Sequence, residues 1–253
     1  MGDVKGRIVV VTGAARGLGL GMARRFAAEG DTLVVADIDA AGEVAAEALR
    51  REGHDASFVT LDVRGAPGVE RVVAGIEAEH GRIDVWVNNA GIARKGPAET
   101  LALEDWDDSL AVMLSGAFYC AQAVGRRMLE RGSGVIVNIA SVNGYHPIEG
   151  RVAYSVAKAG LVMLTQALGI EWAARGVRVV GVAPGVIMTD LVGEGIAAGA
   201  VSVEVYERRT PMHRLGTVDE VAEAVVYLAG PEASYVVGET LRVDGGWTAY
   251  QLF

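Results

Sequence analysis

Apolar residues in this chain come in two alternating rhythms. Seven short runs rich in valine and isoleucine, RIVVVTG (7–13), TLVVAD (32–37), ASFVTLDV (56–63), IDVWVNNAG (83–91), GVIVNIAS (134–141), VRVVGVAP (177–184) and TLRVDGG (240–246), read as β-strands. Between them lie segments such as LGMARRFAAEG, AGEVAAEALRREG and PGVERVVAGIEAEHG, whose apolar residues recur at helical spacing. The strand runs are almost continuously apolar, so both of their faces are expected to be buried. Strand–helix alternation with doubly buried strands predicts an α/β fold, a doubly wound parallel sheet of seven strands with helices on both faces. Ligands of such sheets bind beyond the carboxyl ends of the strands.

Composition narrows the field. The 253 residues are 51% hydrophobic, and no Pro/Gly/Ser linker, repeat or charge block divides them, so 1–253 is read as one domain. A net charge of −9 argues against nucleic acid and against an anionic membrane as partners. No run of 18 apolar residues predicts a membrane span, and the N-terminal apolar run is too short for a signal peptide; a cytoplasmic protein is expected. The one cysteine, Cys120, excludes an intrachain disulfide framework. The four histidines are scattered without HExxH or CxxC spacing, so no metal site is predicted.

The first strand runs into TGAARGLG (12–19), which opens a helix. Gly13, Gly17 and Gly19 permit a tight turn and close approach of a phosphate, and the N-terminus of the helix that follows presents free N–H groups to it, with Leu18 in the same turn. The second strand ends in Asp37, 18 residues after Gly19, where a carboxylate would accept hydrogen bonds from the adenosine ribose and repel a 2′-phosphate. Arg16 could partner such a phosphate, but no Lys or Arg follows Asp37 in IDAAGEVAA, and NAD is the expected cofactor. Asp62 and Val63 end the third strand, placed to meet the adenine edge. The fourth ends in Asn88-Asn89-Ala90-Gly91, small enough to pass close to the cofactor, with amides to tie neighbouring strands.

Strand five ends at Ser141, thirteen residues before Tyr154, and YSVAK places Lys158 one helical turn beyond Tyr154. Serine and tyrosine hydroxyls meeting at the strand ends could polarise a carbonyl and move a proton, while the lysine ammonium is expected to lower the tyrosine pKa from its ordinary value near 10. In this order and spacing, TGAARGLG, Asp62, NNAG, Ser141, YSVAK and Pro184-Gly185 resemble the short-chain dehydrogenase/reductase family from Gly13 to the VDGG at 243–246. The resemblance implies a Rossmann-type sheet of order 3-2-1-4-5-6-7, hydride transfer at a nicotinamide and a homotetramer. It makes Ser141, Tyr154 and Lys158 catalytic, counts Tyr154 and Lys158 also among the cofactor contacts, Lys158 at the nicotinamide ribose, and puts Pro184, Gly185, Ile187 and Thr189 at the nicotinamide end.

One position departs from that pattern: Met113 stands in WDDSLAVMLSGAF where the family usually has asparagine, whose carbonyl holds a water in a relay to the lysine. The relay is expected to survive through the backbone; compensation by Ser115 and impaired turnover are the alternatives. Asn143, His146 and Glu149 are candidate substrate contacts, the segment at about 190–216 a candidate lid, and the tail WTAYQLF is expected to pack on a neighbouring subunit or border a pocket. The reading is an NAD-dependent dehydrogenase acting on a small-molecule secondary alcohol, such as a polyol or hydroxyketone, and its ketone. Its rivals are an NADPH-dependent ketoreductase of the 3-oxoacyl carrier-protein type, with Arg131 and Arg175 meeting an acidic carrier, and a non-catalytic NAD-binding subunit.

Overall fold

The reason the strand runs are unbroken in hydrophobicity is visible in β1 (Ile8–Thr12), whose alternate residues serve opposite layers. Val9 and Val11 join one core cluster, whereas Ile8 and Val10 join the other. The computed structural model describes residues 6–197 and 202–250. After β1 come α1 (Gly17–Ala28), β2 (Thr32–Asp37), α2 (Ala41–Arg51), β3 (Ala56–Thr60), α3 (Ala66–His80) and β4 (Val85–Asn88). The second half holds α4 (Leu103–Leu110), α5 (Gly116–Arg131), β5 (Gly134–Ile139), α6 (Val152–Trp172), β6 (Val177–Pro184), β7 (Ile187–Met188), α7 (Asp190–Ala197), α8 (Val203–Arg209), β8 (Gly216–Thr217), α9 (Val218–Ala229) and β9 (Thr240–Val243).

All pairings in the main sheet are parallel, in the order β3-β2-β1-β4-β5-β6-β9. The expected order thus holds, with β9 as the seventh strand. The two-residue strands β7 and β8 pair only with each other, through Ile187–Gly216 and Met188–Thr217, and too few residues carry them for a period to show in the sequence. On one face, Val9, Val11, Val87, Val180 and Val182 pack with Met22, Phe26 and the α9 residues Val221 and Val225. On the other, Val10, Trp86, Ile136 and Val179 pack with Val73, Val124, Met128 and Leu168.

A buried polar seam crosses this core. Trp86 Nε1–H donates to Asn88 Oδ1 at 2.8 Å, and Asn88 Nδ2 donates to Asn138 Oδ1 at 2.9 Å. Asn138 Nδ2 in turn donates to Thr165 Oγ1 at 2.9 Å, and that hydroxyl donates to the Leu161 carbonyl at 2.8 Å. The seam ties β4, β5 and α6 in one register, and so fixes the helix that carries Tyr154 and Lys158 against the strand that ends near Ser141. Asn138→Ala should destabilise the protein by about 1–3 kcal/mol, because it leaves a buried amide without its partner. A urea denaturation midpoint that stays at the parent value would refute this.

α6 is also long and apolar enough to cross a bilayer, with a mean hydropathy of 1.2 over its most apolar window, contrary to the expectation that no such segment exists. Half of that window is buried inside the domain, and the helix seats Lys158 at the sheet, the placement of a core helix. Its outer side exposes Val156, Met163 and Ile170, and α5 exposes Phe118. Trp247 of the tail is buried within its own chain, tilted against Tyr206 at 6.1 Å between ring centroids and covered by the Arg209 guanidinium at 4.7 Å. The tail therefore packs on α8 from residue 247; residues 251–253, like 198–201 of the expected lid, lie outside the described residues. Cys120 is buried in the core and its thiol is pushed up to about 12 by burial, consistent with an inert packing role. Among the described residues no group of His, Cys, Asp and Glu could hold a metal.

Candidate active site

The cleft at the carboxyl ends of β1–β4 is built around the glycine turn. Gly17 sits at φ +56°, a conformation that penalises any side chain, and nothing stands within 4 Å of where its Cβ would be. At Gly19 a Cβ would lie 2.2 Å from the Gly13 carbonyl, so α1 can start this close to the turn only with glycine there. Arg16, the residue before α1, is extended and gives the helix no side-chain cap, leaving first-turn N–H groups available to an anion. Open space, free donors and a dipole end together fit a dinucleotide pyrophosphate.

Two buttresses hold the turn. The Thr12 hydroxyl accepts the N–H groups of Asn89 and Ala90 at 3.0 and 3.1 Å, and Asn89 Nδ2 donates to the carbonyls of Thr12 and Gly13 at 2.8 and 3.0 Å. On the other side, Asp37 accepts the N–H of Ala15 at 2.9 Å and that of Asp39 at 3.0 Å. Its carboxylate is thereby oriented at the cleft wall, where Ile38 and Asp39 follow it. The cleft, about 550 Å³, is lined by Gly13, Arg16, Gly17, Leu18, Gly19, Asp37, Asp62, Val63, Asn89, Ala90, Gly91 and Thr189, so it collects the predicted cofactor residues of the first four strand ends.

Sequence reasoning did not single out the charges on its outer wall. Arg64 pairs with Asp62 at 2.7 Å and with Asp108 at 3.6 Å, while Arg94 pairs with Asp105 at 3.0 Å and Asp108 at 3.9 Å. Hydrogen bonds from Arg64 hold the Asp62 carboxyl below its usual range. Apart from the Asp62–Arg64 pair, these partners come from separate segments, so no local spacing announces them.

Ser141, Tyr154 and Lys158 are brought together at the end of β5. Ser141 is buried and its Oγ accepts the Asn143 N–H at 3.2 Å, which caps the turn Val142–Gly144 that packs on α6. Lys158 is buried too, and its Nζ donates to the Ile139 carbonyl at 2.6 Å while standing 5.7 Å from the centre of the Tyr154 ring. Burial pushes the Lys158 ammonium down from 10.5 to about 8. The expected effect of this lysine on the tyrosine is corrected here. Burial raises the Tyr154 phenol above its ordinary 10, opposed by its hydrogen bond with Ser141 and by the charge of Arg151. The lysine is drawn to the Ile139 carbonyl and weakened by the same burial, so the cations felt at the phenol include Arg151, three residues upstream, which motif reading passed over.

The remaining candidates divide. Pro184 ends β6; Gly185 N–H bonds to the Val243 carbonyl at 2.9 Å, and Ile187 turns its side chain into the core, leaving its backbone for any ligand. Thr189 reaches the cofactor cleft. Asn143 and Glu149 line a neighbouring apolar hollow with Pro147, Ile148, Val152 and Val156, whereas His146 is exposed. Met113 is buried in a five-residue π turn, Ala111–Ser115, with its thioether against Gly91. The Gly116 N–H bonds back to the Ala111 carbonyl, so the helix irregularity forms with methionine in place of the usual asparagine. Arg131 is bonded to the Ile83 and Ser133 carbonyls, and both it and Arg175 precede the amino ends of β5 and β6, opposite the site.

Residues 13–248 match the family model described as enoyl-(acyl carrier protein) reductase. The chain belongs to the short-chain dehydrogenase/reductase family and is a nicotinamide-dependent oxidoreductase. It is 41% identical over 248 residues to D-threitol dehydrogenase of Mycolicibacterium smegmatis, covering 96% of this chain and 93% of that one. It is also 41% identical, over 244 residues, to cis-4-hydroxycyclohexanecarboxylate dehydrogenase of Sinomonas cyclohexanicum, covering 96% and 97%. Among solved structures, a gluconate 5-dehydrogenase from Burkholderia cenocepacia in complex with NADP and tartrate superimposes with a TM-score of 0.93 at 36% identity, covering 98% of this chain and 97% of that one.

Proposed function

We propose that the protein is an NAD-preferring dehydrogenase that interconverts a secondary alcohol, of the polyol or hydroxyketone class, with its ketone, and that it works as a homotetramer in the cytoplasm. The observation that carries the reading is the convergence of Ser141, Tyr154 and Lys158 beside the cleft walled by Asp37. A bound nicotinamide dinucleotide would supply the hydride acceptor or donor. Ser141 holds and polarises the substrate oxygen, and Tyr154 takes the hydroxyl proton during oxidation or returns it during reduction. Lys158, anchored on Ile139, holds the ribose side of the site and passes protons onward.

Support for this substrate class comes from the relatives named for D-threitol, gluconate and a hydroxycyclohexanecarboxylate, all of them secondary alcohols. The choice of NAD rests on Asp37 and Asp39, two carboxylates at the place a 2′-phosphate would need cations; of the arginines lining the cleft, Arg64 and Arg94 are paired with Asp62, Asp105 and Asp108. NADP in the gluconate 5-dehydrogenase relative is the reason to test the choice directly. The exposed apolar faces of α5 and α6 support the tetramer.

The test is NADH formation at mildly alkaline pH with a panel of polyols and secondary alcohols, repeated with NADP. Turnover with NADP alone would sink the Asp37 argument. Asp37→Ser should raise the NADP-to-NAD ratio of kcat/KM by about tenfold or more, since it removes a like charge from beside the phosphate. An unchanged ratio would mean that Asp37 does not set the preference.

A further inference from the structure

Near the Ser141–Tyr154 site stand two cations, on segments joined by a backbone hydrogen bond, that pair with no carboxylate among the described residues. After Gly91 the chain runs along the cofactor cleft through Ile92 and Arg94, then docks on the substrate loop where the Gly96 N–H donates to the Gly150 carbonyl at 3.0 Å. That bond joins the backbone next to Lys95 to the backbone next to Arg151, residues 56 positions apart in the sequence. Neither forms an ion pair or a side-chain hydrogen bond among the described residues, in contrast to Arg64 and Arg94 close by, which Asp62, Asp105 and Asp108 neutralise. Arg151 begins α6 one turn before Tyr154, and the Ser155 N–H bonds to its carbonyl at 2.9 Å. Its charge is felt at the Tyr154 phenol. Glu149 is the nearest carboxylate in the loop; it lines the apolar hollow beside α6 and pairs with neither cation, and His146 is exposed beyond it.

Two unneutralised cations near a catalytic site stand out in a chain of net charge −9. Their local field would attract anions that the rest of the surface repels. A guanidinium beside an ammonium matches a carboxylate, which one can grip through two N–H donors and the other as a point charge.

We propose that Lys95 and Arg151 form a carboxylate-recognition edge at the mouth of the active site, so that the preferred substrates are hydroxy acids and the corresponding keto acids. This rests on the dehydrogenase reading above and narrows it within secondary alcohols. The carboxylate docks on the Lys95–Arg151 edge while the carbinol oxygen lies between Ser141 and Tyr154. A neutral polyol reaches the same two hydroxyls without the anchor.

The experiment compares cis-4-hydroxycyclohexanecarboxylate with its primary amide, a neutral analogue of the same shape. Binding to the NADH-loaded protein is followed by NADH fluorescence, and turnover with NAD is measured in parallel. The acid should bind about tenfold or more tightly than the amide, as expected for a charge-assisted contact. The preference should shrink with added salt, collapse in Lys95→Gln with Arg151→Gln, and be retained in Arg151→Lys. The acid-to-amide ratio removes any effect of Arg151 on Tyr154 that both ligands share. Equal affinities, an amide preference, a preference surviving in the double glutamine variant, or no binding of either compound would overturn the proposal. The salt dependence is read on the wild-type protein, so a variant that fails to fold does not remove the test. Oxidation of neutral polyols without any acid preference would overturn this inference alone. Acid-selective binding with no turnover of any alcohol would overturn the dehydrogenase reading instead.

Discussion

Tyr154→Phe should lower kcat/KM for alcohol oxidation by about 10²–10⁴-fold, the range for loss of a positioned general acid or base. The substitution removes one oxygen from a ring already fixed on α6, so the cofactor cleft and the Ser141 turn should persist. NADH binding is then expected to remain while turnover disappears. The wild-type pH profile carries a second expectation. Burial raises the phenol above 10, against the pull of Ser141 and Arg151, so the group is protonated at neutrality. Reduction of a ketone uses that protonated form, whereas oxidation needs the phenolate and should accelerate as pH rises. Fluorescence titration with NADH beside steady-state rates across pH checks both points. Retained turnover in the phenylalanine variant would remove Tyr154 from the chemistry, and a collapse of NADH binding would show that its role is structural.

Lys158→Met should abolish activity and stabilise the fold at neutral pH. The ammonium is buried, with its pKa pushed from 10.5 down to about 8, because water has been replaced by the interior of the domain despite the hydrogen bond to Ile139. The folded-state value lies below the unfolded one, so between about 8 and 10.5 the unfolded chain binds more protons and stability rises with pH. Below pH 8 the penalty for the buried charge is present in full, on the order of 3 kcal/mol. Methionine has similar length and no charge, and it escapes that penalty. The variant should therefore show a higher urea midpoint than wild type at pH 7, with the difference fading toward pH 10.5. A midpoint below wild type at pH 7, or a difference independent of pH, would show that the Ile139 hydrogen bond outweighs the cost of burial. Together with Tyr154→Phe, the pair separates residues kept for reaction from residues kept for folding.

Much of the molecule was legible in one dimension because its causes are local. A strand with both faces buried must be apolar without interruption, and this holds for the five inner strands, while the edge strands β3 and β9 are only partly buried. Backbone conformation acts over a few residues, so the phosphate turn could be read from glycines 13, 17 and 19. Ser141, Tyr154 and Lys158 were recognisable because strand end and helical turn impose their spacing. The asparagines were expected to tie strands, and Asn88 and Asn138 form that seam.

Charge environments were not legible in this way, since they sum over elements distant in the chain. Only the tertiary structure turns Lys158 onto Ile139, and with it the sign of the Tyr154 shift, because desolvation depends on everything that covers the group. The Arg64, Arg94 and Asp108 wall is assembled from three separate segments. At Met113, sequence alone left open whether the relay survives the loss of asparagine; the structure shows the residue buried in a π turn whose backbone bond runs from Gly116 to Ala111. The segments that carry Lys95 and Arg151 are joined through a backbone hydrogen bond between Gly96 and Gly150. The sequence by itself determined the sheet, the cofactor turn and the reacting groups, whose rules operate within a strand or a helical turn. Which charges surround those groups, and which remain free to meet a substrate, was decided by folding, because electrostatic and desolvation energies depend on distance in space.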